Sequence, residues 1–239
     1  AAREEETVLH GAEESRQLQA AGQRRSTRRR ARDFSWRVRI DSGCDAVMPE
    51  VVLASTSPYR RQLLERLRLP FTCVAPHIDE SKVKASIADP ERLATALARQ
   101  KALAVGKLHP GALVIGSDQV ATIDGAVLDK PGTAARAAEQ LHRLAGREHR
   151  LVTAVAIAHA GGVVEFVDVT RLCMRVLSAA EIERYVAQDQ PLDCAGSYRI
   201  EGLGIALFAG ISCEDQTAII GLPLLRLCAE LRQLGLTIP

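Results

Sequence analysis

The residues of this 239-residue chain whose types and placing could do chemistry are Ser55, Arg60, Arg61, Glu80, Lys101, Asp118 and Lys130. Ser55-Thr56-Ser57-Pro58 follows the apolar run Val51–Ala54 and precedes Leu63, Leu64 and Leu67 at helical spacing. That pattern predicts a strand, a turn and a helix, with Ser57 as N-cap and Pro58 at the first helical position. Arg60 and Arg61 in the first turn oppose the helix dipole. They make sense if free backbone N–H groups, hydroxyls and guanidinium groups converge on an anion, with phosphate the obvious candidate. Asp118 follows the fully apolar run Ala112–Ile115 and the small residues Gly116-Ser117, which predicts a carboxylate at the end of a buried strand. Glu80 lies in an acidic segment, Ile78–Ser81, read as a loop. Lys130 sits between Asp129 and Pro131, and Lys101 near the end of a helix over Pro90–Val105, where a surface lysine would be dipole-favoured. Cations that hold phosphates, with acids that hold Mg²⁺ or Mn²⁺ and activate water, suit metal-assisted hydrolysis of a phosphoanhydride.

The elements that must position these groups alternate between strand and helix patterns. Phe71–Ala75 reads as a second strand stopped by Pro76, and Val120–Ile123 continues the strand pattern to an Asp124-Gly125 hairpin and a return over Ala126–Leu128. Thr133 caps a helix to Leu144, ended by Gly146. Leu151–His159 and Val163–Val176 form two long strands joined at Gly161-Gly162. Ser178-Ala179-Ala180-Glu181 is a capping box that opens a helix to about Val186. Residues 191–204 are irregular and rich in small residues, Ile205–Phe208 is a strand, and Leu222-Pro223 opens a last helix carrying Leu224, Leu227 and Leu231. Crossover and hairpin connections together predict an α/β fold with a mixed, twisted sheet flanked by helices.

Composition narrows the function classes. Hydrophobic residues make up 47% of the chain and aromatics 3%, so the core is aliphatic. Residues 1–47 carry ten arginines and eight acids. This leaves 31 − 10 = 21 basic and 29 − 8 = 21 acidic groups in residues 48–239, a neutral body that argues against a broad nucleic-acid face. Residues 1–47 read as a disordered, Arg-rich N-terminal extension, with Met48 as a natural start for the 48–239 domain. The six scattered cysteines, without C-x-x-C or zinc spacing, predict reduced, mostly buried thiols in a cytoplasmic protein. No apolar run approaches a membrane span.

Taken in order, LASTSPYRRQLLERL (53–67), IDES (78–81), QKA (100–102), GSDQV (116–120), DKP (129–131), LHRLAGREHRLVTAVAI (141–157), AGSYRIEGLGIALF (195–208) and IGLPL (220–224) resemble the Maf-like nucleoside triphosphate pyrophosphatases. The resemblance covers essentially all of residues 50–236. It implies hydrolysis of a nucleoside triphosphate to the monophosphate and pyrophosphate with a divalent metal, Mg²⁺ or Mn²⁺, in a cleft between two lobes of a Maf/ITPase-like fold. It implies Asp118 as the catalytic acid that accepts the proton of water. Ser55, Arg60, Arg61, Lys101 and Lys130 become phosphate-binding positions, with Glu80 and Asp118 holding the metal. Most members have arginine, threonine and glutamine where Tyr59, Gln119 and Glu201 stand here. An aromatic, a glutamine and a glutamate resemble the branch acting on 7-methyl-GTP. A cationic 7-methylguanine ring would stack on Tyr59, Glu201 would accept from the guanine N1 and N2 groups, and Gln119 would read a carbonyl edge. The same chemistry on dTTP or UTP, and a non-catalytic nucleotide-binding regulator of septum formation, stay open as alternatives. The expected partner is the nucleotide itself, with no stable nucleic-acid partner and no membrane; a homodimer is left open.

Overall fold

The computed structural model describes residues 48–239; the expected N-terminal extension, residues 1–47, lies outside them. Fifteen segments of regular structure follow one another: β1 (Val51–Leu53), α1 (Pro58–Glu65), β2 (Thr72–Cys73), α2 (Glu80–Ser86), α3 (Pro90–Gly106), β3 (Leu113–Ile123), β4 (Ala126–Leu128), α4 (Ala134–Leu144), β5 (Glu148–His159), β6 (Gly162–Met174), α5 (Ala179–Asp189), a 3₁₀ turn (Leu203–Leu207), β7 (Phe208–Ser212), α6 (Gln216–Ile220) and α7 (Leu224–Gln233). The seven strands form one mixed sheet in the order β2-β1-β3-β5-β6-β7, with β4 also paired to β3. β1 runs parallel to β2 and β3, and the remaining pairs are antiparallel.

Three long strands, β3, β5 and β6, are shared by two lobes. At one end the sheet is sandwiched. One face packs on α3 through Leu93, Leu97 and Val105, and the other on α1 and α7 through Leu63, Leu64, Leu227 and Leu231. At the other end Ile123, Leu151, Leu172 and Met174 pack on Leu141 and Leu144 of α4 and Ile182 and Tyr185 of α5. The boundary between the lobes falls within β3. Residues 113–115 pair with β1 and residues 121–123 with β4, while β5 runs along the opposite edge throughout. Residues 116–120 therefore form a stretch of strand edge with no strand beside it among the described residues.

Local signals in the sequence account for most helix ends. Ser57, Asp89 and Thr133 accept hydrogen bonds from the N–H three residues on, and Ser178 and Glu181 form both halves of a capping box. Several expectations are corrected. The acidic segment is not a loop to its end: Asp79 caps α2, which starts at Glu80. The second strand shrinks to two residues at the sheet edge. The strand expected over Ile205–Phe208 is a 3₁₀ turn, and β7 begins at Phe208. Asp118 does not end a strand, because pairing with β5 carries β3 unbroken from Leu113 to Ile123. Cys44 lies outside the described residues, and the other five cysteines are less buried than expected: Cys73 and Cys173 are exposed, and Cys194, Cys213 and Cys228 are half-buried. Cys73 lies on the edge strand. Cys173 points outward between the inward Leu172 and Met174. No helix among the described residues is long and apolar enough to cross a membrane.

Candidate active site

The gap along β3 opens into a cavity of about 630 Å³ lined by both lobes. Successive side chains of a strand point to opposite faces, so Asp118 and Gln119 reach this cavity from opposite sides of the sheet. Asp118 belongs to the face covered by α3. There Ala94, Ala98 and Ala102, spaced by four and fully buried, form a smooth seam. Gly116 presses against that seam. A Cβ at position 116 would collide with the Ala98 carbonyl oxygen and come within 2.6 Å of the Ala102 nitrogen. This close approach of helix to strand carries Lys101 alongside the carboxylates.

Lys101 is buried, not on the surface as its place in the helix suggested. Its Nζ lies 2.6 Å from Asp118 Oδ1 and 2.8 Å from Glu80 Oε1, clasping the two acids together. Burial works against ionisation of Glu80. The hydrogen bond and charge of Lys101, helped by Lys84 and Lys130, outweigh it and hold the Glu80 carboxyl below its usual range. Lys84, one helical turn beyond Glu80, lines the cavity and pairs with Asp129 at 2.6 Å. Burial pulls its pKa down, but Asp129, Glu80 and Asp118 raise it overall. Asp129 and Lys130 complete this rim.

The N-terminus of α1 faces the same cavity. Ser55, buried, accepts from the Ser57 N–H at 3.1 Å, and Ser57 in turn caps the helix. Arg60 Nε donates to the Gly221 carbonyl at 3.0 Å, and Ser117 Oγ donates to the same oxygen at 2.9 Å. Burial lowers the Arg60 pKa against the opposing charges of Asp118 and Glu80, and the group remains a cation. Arg61 does not join the site. It is exposed, does not line the cavity, and pairs with Glu65 one turn along its own helix at 2.9 Å. The two arginines are adjacent on a helix and so point about 100° apart; one reaches the cleft and the other solvent.

The cavity is also lined by Tyr59, Gln119, Glu201 and Arg199. Gln119 Nε2 is surrounded by the carbonyl oxygens of Ala218 and Ile219, at 2.9 and 3.0 Å, and by Thr153 Oγ1 at 3.0 Å. Three acceptors settle which end of the amide is nitrogen. Its N–H groups are committed to α6 and β5, which leaves the carbonyl oxygen, an acceptor, without a protein partner among the described residues, where the expected reading of a carbonyl edge needs a donor.

Most of the residues expected from sequence thus converge: Ser55, Tyr59, Arg60, Glu80, Lys101, Asp118, Gln119, Lys130 and Glu201 all line one cavity, and Arg61 does not. Sequence reasoning missed Lys84, Arg199 and the carbonyls of residues 218–221. The Glu80-to-Lys84 spacing was a readable signal once Asp79 is taken as a cap.

A sequence profile described as Maf-like protein matches residues 50–234. The chain belongs to the Maf family. A Xanthomonas oryzae pv. oryzae protein named 7-methyl-GTP pyrophosphatase is 48% identical over 193 residues, spanning 81% of this Maf-like chain and 100% of the relative. A Bordetella pertussis protein of the same name is 48% identical over 192 residues, 80% of this chain and 95% of the relative. Among solved structures, the Staphylococcus aureus Ham1 protein overlays 52% of this chain and 71% of its own at 16% identity, with a TM-score of 0.39.

Proposed function

We propose that this protein is a nucleoside triphosphate pyrophosphatase of the cytoplasm that hydrolyses 7-methyl-GTP to 7-methyl-GMP and pyrophosphate, removing a modified nucleotide. The observation that carries the reading is the pair of carboxylates, Asp118 and Glu80, clasped by buried Lys101 in a cavity also lined by Tyr59, Gln119 and Glu201. The names of the relatives point to the same substrate.

In this reading the triphosphate lies along the Ser55–Arg60 turn, where the α1 N-terminus, Arg60, Lys84 and Lys130 offset its charge. Asp118, oriented by Lys101, takes a proton from water as the water oxygen attacks the α-phosphorus. The bond from that phosphorus to the bridging oxygen breaks, and pyrophosphate leaves with the electron pair. The residues fit a divalent cation. Glu80 and Asp118 each give one oxygen to Lys101, and neither binds a protein donor through its other oxygen among the described residues. No group of three or more His, Cys, Asp or Glu side chains able to hold a metal occurs among the described residues. A cation held by Glu80 and Asp118 would complete its shell with phosphate oxygens and water, the usual mode for Mg²⁺. It would supply positive charge to the phosphate oxygens. At the other end the 7-methylguanine ring lies against Tyr59, and the Glu201 carboxylate and Gln119 carbonyl accept from its N1 and N2 groups.

The test is pyrophosphate release from 7-methyl-GTP, GTP, dTTP and UTP by wild type and Asp118→Asn. Preference for 7-methyl-GTP, with a loss of about 10³-fold or more in the variant, is expected. Preference for dTTP or UTP would remove the base assignment and leave the chemistry. No turnover of any nucleotide would leave a binding protein.

A further inference from the structure

Tyr59 and Arg199 are 140 residues apart in sequence and face each other across the cavity, one on α1 and one in the irregular segment after α5. Arg199 Nη1 donates to the Tyr59 hydroxyl at 3.4 Å. The two ends of this contact differ in rigidity. The Arg199 side chain is anchored on Asp189, through the carboxylate at 2.9 Å and through the backbone carbonyl. Its backbone N–H donates to the Tyr185 hydroxyl at 3.0 Å, and that hydroxyl donates to the same Asp189 at 2.8 Å. Gly204 is folded so closely over Arg199 that a Cβ there would collide with the Arg199 carbonyl oxygen. Tyr59 is half-buried and carries no other hydroxyl contact among the described residues.

We propose that Arg199 is a positioning residue for base recognition: fixed on Asp189, it holds the Tyr59 ring from the opposite lobe and so sets the gap that the base enters. The inference rests on the reading that the base lies against Tyr59. Two further observations support it. Every hydrogen bond of the guanidinium among the described residues is made through its two Nη atoms, one on Tyr59 and one on Asp189, so a single rigid group links the two. The contact is also made through the phenolic oxygen, so it limits swinging of the Tyr59 side chain without using either face of the ring. A side chain free to swing would have to be ordered on binding, which weakens affinity. A ring held in advance avoids that loss.

The test is a double-mutant cycle on equilibrium binding, which needs no turnover. Wild type, Arg199→Ala, Tyr59→Phe and the double variant are titrated with 7-methyl-GMP, UMP and dTMP by calorimetry, and each variant's melting temperature is recorded. Arg199→Lys is included because it keeps a donor and a charge. We expect each single change to weaken 7-methyl-GMP binding by about three- to tenfold and the double variant to be no weaker than the worse single one. Arg199→Lys should recover part of the loss. Independent, multiplying losses would overturn the proposal, as would losses that simply track melting temperature. Failure of the parent reading looks different. If wild type prefers UMP or dTMP, the base assignment falls, and the same cycle run on the preferred nucleotide decides whether Arg199 acts through Tyr59. If wild type binds none of the three, both fall.

Discussion

Replacing Lys101 by methionine removes the cation that touches both carboxylates while roughly conserving side-chain volume. The Lys101 and Asp118 side chains are 9% and 11% exposed, and Nζ lies 2.6 Å from the nearer carboxylate oxygen. With charge centres about 3.3 Å apart and an effective dielectric near 20, the gross attraction is about 5 kcal/mol. Removing one partner of such a pair typically costs about 3–5 kcal/mol, chiefly through the charge left buried. The Glu80 side chain is 42% exposed, so solvent screens its share, and the lower end, about 3 kcal/mol, is expected for Lys101→Met. Asp118→Asn should cost less, about 2 kcal/mol, because Lys101 keeps Glu80 at 2.8 Å. The double variant Lys101→Met/Asp118→Asn removes the stranded charge and should be more stable than Lys101→Met alone. The assay is urea unfolding followed by far-UV circular dichroism, in chelator so that no cation replaces the ammonium. A loss under about 1 kcal/mol for Lys101→Met, or additive losses in the double variant, would refute the clasp.

Two other outcomes follow from the geometry. Arg61→Ala should leave pyrophosphate release within about twofold and stability within about 0.5 kcal/mol, as for an exposed helix pair. Arg60→Ala should raise KM for the triphosphate; equal effects of the two changes in steady-state kinetics would contradict their placing. His149 is 2% exposed and donates to or accepts from the Tyr198 hydroxyl at 2.9 Å, and burial pushes its pKa down to about 4. The unfolded chain binds this proton near pH 6.5. The stability from neutral His149 is therefore whole above about pH 6.5 and is lost as pH falls toward 4, by up to about 3 kcal/mol. His149→Gln should flatten that part of the stability–pH profile, measured by unfolding at pH 7 and 4.5.

What was legible in the sequence was local. Ser57-Pro58, Thr133 and the Ser178–Glu181 box announce helices through side chains that bond within three residues, and the expected hairpin joins β5 and β6, with its turn at Ala160-Gly161 rather than Gly161-Gly162. What was not legible depends on approach between distant segments. Lys101 is buried because Gly116 and the alanine seam bring α3 onto β3, and neither segment alone shows it. The strand end expected after Gly116-Ser117 is absent because β5 supplies a continuous ladder that small residues by themselves do not reveal. Gln119 faces the cavity with its oxygen because α6, unread as a helix in the sequence, offers two backbone acceptors. Arg60 and Arg61 formed one signal in sequence. Their different fates depend on which flank of α1 meets the Gly221 carbonyl.

The one-sided edge of β3 between residues 115 and 121, paired with β5 but with no strand on its other flank among the described residues, has a consequence for how such an enzyme can change. Neighbouring positions on one strand answer to separate neighbourhoods, Asp118 to α3 and Gln119 to α6. In the proposed reading, selection or an engineer can rewrite position 119 and the side chains around it without disturbing the packing that orients Asp118, so new substrates can be explored by substitution while the proposed hydrolytic groups are inherited unchanged.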